Sequence, residues 1–282
     1  LPSVGIGLPV YNNAKHVSKT LDSLLNQSYT NIVIYLSDDC SDDGTGEICQ
    51  SYAERDNRIE YSRNERNIGA NANNAKVLSL ATTDYFMFAR GHEILSPNLI
   101  EDCIRILEND ERLVLAFATT KWIDNDDNII PNRPVGYYDT RGFDVVTRCA
   151  LALWGNYDCY YGLSRTDVMK SIRGNEEIIG SDILSLFEKA LLGSFAHACS
   201  SVRYRRYRYS GETYQKRIQR YKRSTYKQLK GMDHIFPLAR LPFHLFFSVI
   251  RSKVSLADKI KILLVVLFNA PLRYIVSRGR QL

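Results

Sequence analysis

From Val4 to Asp43 the chain changes its patterning in the order of a strand–helix–strand crossover. Val4 to Val10 is a short apolar run with Pro9 near its end, Ala14 to Leu25 carries apolar residues at helical spacing, and Ile32 to Leu36 is a second run rich in β-branched residues. Such a unit is parallel and right-handed. In open sheets of this kind ligands gather at the carboxyl ends of the strands, which here carry Tyr11, Asn12 and Asn13 after the first strand and Asp38, Asp39, Ser41, Asp42 and Asp43 after the second. Both loops would face one crevice. The same residues also suit a plainer role, with PVYNN as a turn and SDDCSDDG as a solvated acidic loop capping a helix at Asp43 or Thr45.

The alternation continues. Gly46 to Arg55 reads as a helix, Ile59 to Ser62 as a strand, Asn71 to Ala81 as a helix, and Asp84 to Ala89 as a buried strand ending at Arg90-Gly91-His92-Glu93. Pro97 to Asn109 reads as a helix with proline near its start and Leu113 to Thr119 as a strand, so the first half is expected to form one α/β sheet. Ile123 to Tyr138 is polar and contains proline, as an exposed hairpin or loop does. Phe143 to Trp154 reads as a helix, and Ile178 to Leu192 as a stronger one with Ile183, Leu186, Phe187 and Ala190 on one face.

At 282 residues, 45% hydrophobic and 24% charged, the chain can bury a sizeable core as one large α/β domain with an appendage. Its net charge of +6 is unevenly spread, because Arg203 to Lys230 is rich in Lys and Arg with Glu212 the lone acid. That asymmetry points to an anionic partner. The six cysteines lack CxxC spacing, which indicates neither a zinc site nor a disulfide framework and makes a reducing cytosol the simpler home. No secretory signal is legible, and Leu1 in place of Met leaves room for removed upstream residues.

Six segments, in order, resemble the inverting GT-A glycosyltransferases of family 2: PVYNN (Pro9 to Asn13), LDSLLNQSYTN (Leu21 to Asn31), SDDCSDDGT (Ser37 to Thr45), RNIGANANN (Arg66 to Asn74), YFMFARGHEILSPNLI (Tyr85 to Ile100) and GSDILSLFEKALLG (Gly180 to Gly193). The resemblance implies a Rossmann-like, mostly parallel sheet flanked by helices over residues 1–210, with a basic, amphipathic helical region at 211–282. It implies transfer of a sugar from a nucleoside diphosphate sugar, UDP-sugar first, to an acceptor hydroxyl in glycan or polysaccharide synthesis. Around the nucleotide it places Pro9, Tyr11, Asn13, Asp38, Asp39, Asn73 and His92, with Tyr11 stacking on the base and Asp39 accepting from its imide. Asp182 matches the general base, with Glu176 and Glu177 as competitors. Trp154, Tyr157 and Tyr160 sit where the family gathers acceptor contacts.

One position departs from the pattern. Where the family carries an acid pair for a divalent metal, this chain has Gly91, His92 and Glu93. Three readings stay open: His92 and Glu93 hold Mn²⁺ or Mg²⁺; Arg90, with Arg205, Arg206 or Arg208, takes over the diphosphate charge; or the chain is a non-catalytic nucleotide-sugar or glycan binder. The interleaved Tyr and Arg after Val202 would alone suggest nucleic acid, but no recognised module surrounds them and the acidic loops would repel a backbone, so no nucleic-acid partner is expected.

Ile235 to Leu282 holds apolar clusters punctuated by Arg and Lys, neither reaching the roughly 18 to 20 uninterrupted apolar residues of a spanning helix. Interfacial helices on a membrane, near a lipid-linked acceptor, fit the pattern, as does docking against the protein's own core or a second copy in a homodimer. The expected location is cytoplasmic and peripheral on the inner face of the membrane.

Overall fold

The computed structural model describes residues 1–133, 138–155, 158–173, 180–207 and 240–279. In chain order its elements are β1 (Val4–Val10), α1 (Val17–Leu25), β2 (Ile32–Asp38), α2 (Thr45–Arg55), β3 (Ile59–Arg63), α3 (Ala70–Leu80), β4 (Tyr85–Phe88), β5 (Ile94–Leu95), α4 (Leu99–Glu108), β6 (Leu113–Ile123), α5 (Val145–Trp154), a 3-10 turn (Asp158–Tyr161), β7 (Ser164–Arg165), α6 (Thr166–Ser171), α7 (Ser181–Leu192), β8 (Ser194–Arg206), α8 (Leu241–Arg251) and α9 (Leu256–Gly279).

The main sheet runs β3-β2-β1-β4-β7, parallel except for the last strand. β1 lies at its centre and is buried on both faces, which explains its continuous apolar run. Helices cover both sides. On one, α1 buries Val17, Thr20, Leu21 and Leu24 at the i, i+3, i+4, i+7 spacing of an amphipathic stripe. On the other, α3, α5 and α7 build a second core around Phe86, Phe88, Phe187 and Phe195, and Leu241, Leu245 and Val249 of α8 with Ile262 and Val266 of α9 complete that core.

The expectation of one sheet through the first half is corrected. β6 leaves the main sheet and pairs in parallel with β8, and β5 joins β8 antiparallel to make a second sheet ordered β5-β8-β6. The reason lies at β4, whose free edge is taken by the short antiparallel β7 through Tyr85–Arg165 and Phe86–Ser164. β6 keeps contact with that region through a single bridge, Ala116 to Leu163. Hydrophobic period alone cannot tell which strand fills an edge. β8 itself, SFAHACSSVRYRR, carries too many polar residues to stand out as a strand.

Candidate functional site

Three loops meet at the carboxyl ends of β1, β2 and β4. The parallel register sets Val10 beside Asp38, and the Asp39 amide donates to the Val10 carbonyl at 2.9 Å. Gly91 brings the third loop in close: a Cβ there would stand 2.8 Å from both Asn13 Oδ1 and Val10 Cγ1, so any side chain would push the β4 loop off the β1 loop. The crevice expected from the sequence is therefore formed.

Its first wall is an acidic rim whose carboxylates organise backbone. Asp39 is buried and accepts from Asn64 Nδ2 (2.8 Å), the Ile68 amide (2.8 Å) and the Gly69 amide (2.9 Å), tying β2 to the turn that starts α3. Asp38 is buried too, accepting from the Ser41 amide at 3.1 Å and pairing with Arg63 at 3.3 Å. Asp43 accepts from the Ala14 and Thr45 amides, both at 3.1 Å, and these bonds pull its carboxyl below the ordinary range against the opposing push of burial. Asn73 donates to the Ser37 carbonyl at 2.9 Å, and the Asn13 amide donates to Thr45 Oγ1 at 2.7 Å. Pro9 is half-buried in β1 beside Ser37. Tyr11 stands out among these by remaining 45% exposed, with an open ring face at the end of β1.

The opposite wall is built from cations. Arg90, just past β4, donates from Nε and Nη2 to the Tyr161 hydroxyl at 2.8 and 2.5 Å. Arg203 and Arg205 alternate along β8, so they share a face, and both reach Asp158 Oδ1, at 3.2 and 2.5 Å. Tyr161 lies between two guanidiniums, with Arg90 5.1 Å and Arg203 4.7 Å from its ring centre. Arg205 lies over Trp122 at 4.6 Å and keeps 35% of its side chain exposed. Arg206 points to the other face of the strand, where its fully buried side chain donates to the carbonyls of His92 and Asp124 and pairs with Asp127. The diphosphate role expected for Arg206 has no exposed guanidinium to perform it.

Asp182 opens α7 and accepts from the Ile183 amide at 2.9 Å. Burial pushes its carboxyl above the ordinary range, and the charges of Arg90 and Arg205 pull the other way, so Asp182 lies within the field of the cationic wall. Trp154 is exposed at the end of α5 and donates from its indole to Asn269 of α9 at 2.7 Å. Tyr160 is buried and stacked on Phe88, so it offers an acceptor no ring face. Tyr157, Glu176, Glu177 and Arg208 lie outside the described residues.

The metal expectation meets a poor fit. Glu93 is buried and faces Arg203 Nη1 at 3.6 Å, and the fields of Arg90 and Arg205 also fall on it. His92 is half-buried and its carbonyl accepts from Arg206. A carboxylate already neutralised by guanidinium is a weak ligand for a hard dication. Among the described residues no group of three His, Cys, Asp or Glu side chains could hold a metal ion.

Sequence reasoning missed Asp158, Tyr161 and the separate roles of Arg203 and Arg206. A period-2 reading of Arg203, Arg205 and Arg206 would have parted the last from the first two. Nothing in the sequence pairs Asp158 with them.

The profile of glycosyl transferase family 2 matches residues 6–168, more than half of the chain. The chain belongs to glycosyl transferase family 2. The match contains the acidic rim, Arg90, Glu93 and Asp158, and ends before Asp182 and β8. Among relatives, glycosyltransferase GlyG of Streptococcus pneumoniae is 31% identical over 113 residues, 40% of this chain and 38% of that protein. The chondroitin synthase of Escherichia coli is 29% identical over 133 residues, 47% of this chain and 19% of that protein. The matched stretch is thus less than half of each relative's length. Staphylococcus aureus TarS shares the fold with a TM-score of 0.68 at 17% identity, covering 94% of this chain and 43% of that one. Its 1–349 fragment bound to UDP-GlcNAc gives 0.67 at 18% identity, covering 94% and 71%. Mannosyltransferase PcManGT of Pyrobaculum calidifontis, bound to GDP-Man and Mn²⁺, gives 0.59 at 14% identity, covering 99% and 73%. The family 2 chain therefore has a GT-A fold, a mostly parallel sheet flanked by helices.

Proposed function

We propose that this family 2 chain transfers a hexose from a nucleoside diphosphate sugar to an acceptor hydroxyl with inversion, in the synthesis of a glycan. The observation that carries this reading is Asp182 in the first turn of α7, a half-buried carboxylate that burial raises and the charges of Arg90 and Arg205 lower. A carboxylate raised above its ordinary range and within the field of fixed cations suits a displacement in which a proton leaves one end and negative charge grows at the other. Asp182 accepts the proton of the acceptor hydroxyl, the oxygen forms its bond to the anomeric carbon, and the bond from that carbon to the diphosphate oxygen breaks. The electron pair goes to the diphosphate, whose growing charge Arg90 and Arg205 offset bidentately.

The exposed Tyr11 ring is the platform for the nucleobase, at the mouth of the rim that Asp39 and Asn73 hold in shape. UDP is the first candidate nucleotide because TarS carries UDP and UDP-GlcNAc; PcManGT with GDP-Man makes GDP the second. Mn²⁺ accompanies the nucleotide in PcManGT and in GalNAc-T7. No step here is routed through a metal, since Glu93 is held by Arg203.

Calorimetric titration with UDP, GDP and dTDP, each with Mn²⁺ and with EDTA, tests the donor site, and release of free nucleotide from the matching nucleotide sugar tests transfer. Binding of one nucleotide with turnover that Asp182→Asn abolishes is expected. Binding of none would sink the donor site, and binding without turnover on a panel of glycan acceptors would leave a nucleotide-sugar binder.

A further inference from the structure

We infer that α8 and α9 form a docking surface for an anionic lipid bilayer, lying flat on the headgroups rather than crossing the membrane. The two helices rest on one layer of the fold, α8 against α7 and α9 against α5. Each has a buried face and an apolar exposed one. In α8, Leu241, Leu245 and Val249 point into the core, while Phe243, Phe247 and Ile250, set roughly half a turn away, are exposed. In α9, Ile262 and Val266 point inward, while Ile260, Leu264, Leu267 and Phe268 are exposed along the opposite face. Since the inner faces share a layer, the outer faces look the same way and make one apolar field. A run of exposed aromatic and aliphatic side chains on this scale marks an interaction surface.

Charge selects the occupant. Arg251 and Lys253 at the joint between the helices and Lys261 in the second turn of α9 are exposed beside the apolar field, Lys259 there donates to the Ile250 carbonyl at 2.8 Å, and Asp258 is the one acid between Arg240 and Asn269. Asp258 is already engaged by Ser255 and by Lys261, at 3.8 Å. A two-fold interface between copies would bring these cations toward their own images with little to offset them. A bilayer bearing anionic headgroups supplies the counter-charge at the rim and hydrocarbon under the Phe and Leu side chains. Among the described residues no helix is long and apolar enough to cross a membrane, which agrees with a helix pair that rests on the surface.

The test is co-sedimentation of the full chain with phosphatidylcholine vesicles, with and without phosphatidylglycerol. The wild type is expected to partition onto the anionic vesicles, each basic residue contributing about fivefold at low salt. Phe247→Asp with Leu264→Asp should cut partitioning about a hundredfold, because two apolar anchors are lost and two anions face the lipid. Both positions are half-exposed, at 51% and 50%, so circular dichroism should show an unchanged fold. Arg251→Gln with Lys253→Gln leaves the apolar field intact and should weaken binding more than tenfold at low salt and little at high salt. The inference is overturned if the wild type stays in the supernatant with anionic vesicles, or if the Asp pair binds as well as the wild type. It is also overturned if light scattering gives a concentration-dependent dimer that the Asp pair dissolves, which would make a second copy the occupant.

Discussion

Asp39 on the acidic rim and Glu93 on the cationic wall are both buried carboxylates at the carboxyl end of the sheet, and their partners differ in kind. Asp39 receives two backbone amides and the Asn64 side chain, all within 2.9 Å. Glu93 faces a guanidinium at 3.6 Å, and among the described residues both Glu93 Oε2 and Arg203 Nη1 lack a hydrogen-bond partner. The rim spends its charge on fixing loop shape, which backbone N–H groups reward with short, directional bonds. The wall crowds Arg90, Arg203, Arg205, Asp158 and Glu93 with geometry left to improve. One side of the crevice is finished before a ligand arrives, and the other holds charge in reserve for a ligand that is itself charged.

The strongest way to break this contrast is at Asp182, the carboxylate within the field of the wall that has no ion pair among the described residues. Asp182→Asn should lower the transfer rate by about a thousandfold while leaving nucleotide affinity near the wild-type value, as single-turnover kinetics beside calorimetry would read. Burial raises this carboxyl above its value of 3.8, so the native state holds the proton more tightly than the unfolded chain. Its stabilising contribution is complete below pH 3.8 and is lost as pH rises through the folded value. The Asn variant should therefore be more stable than the wild type at neutral pH, with the gain vanishing in acid. The wild-type rate should fall on acidification at a pH above that of an ordinary aspartate.

Next in size is Arg203→Ala, which strips Glu93 of its partner inside the fold and takes one of two cations from Asp158. Leaving a buried charge uncompensated costs about 4 kcal/mol, to be read as a lower urea midpoint with an unchanged slope. A loss below about 1 kcal/mol would mean that water reaches Glu93 and that the wall is not as dry as its burial implies.

The rim was legible in the sequence and the wall only in part, for a physical reason. Asp38, Asp39 and Asn13 act within forty residues, through a βαβ unit whose period and turn chemistry are local, so reading the strands also brought their loops to one crevice. The wall is assembled from residues 90, 158, 161, 203 and 205, joined by hydrogen bonds that cross 45 to 71 positions. No local pattern links Asp158 to Arg203. β8 hides its strand character behind Ser, His and Arg, and the departure of β6 to a second sheet depends on β7, two residues that occupy an edge. Asp182 was singled out by the resemblance of GSDILSL to the family's pattern, not by period; Arg206 was grouped with Arg205 because proximity in sequence on a strand says nothing of face.

Asp39→Ala sharpens the contrast from the rim. Removing the carboxylate leaves the Ile68 and Gly69 amides and Asn64 without their acceptor, which should cost about 2 to 3 kcal/mol in urea unfolding. Because those amides shape the turn into α3, nucleotide affinity should fall with stability, and amide exchange at Ile68 and Gly69 should speed up together. Slow exchange at both in the variant would show that the turn holds itself.

The smallest effect, and the most discriminating, belongs to Arg205→Gln. Arg205 shares Asp158 with Arg203, yet it is the more exposed of the two, at 35% against 4% of the side chain. Its removal leaves Asp158 paired to Arg203, so unfolding should shift by less than about 1 kcal/mol. A cation that serves the diphosphate should still be missed: nucleoside diphosphate affinity should drop about tenfold, and affinity for the nucleoside without phosphates should stay unchanged. Equal losses for nucleoside and diphosphate would mean that Arg205 shapes the crevice rather than meeting charge, and the cationic wall would then be as structural as the rim.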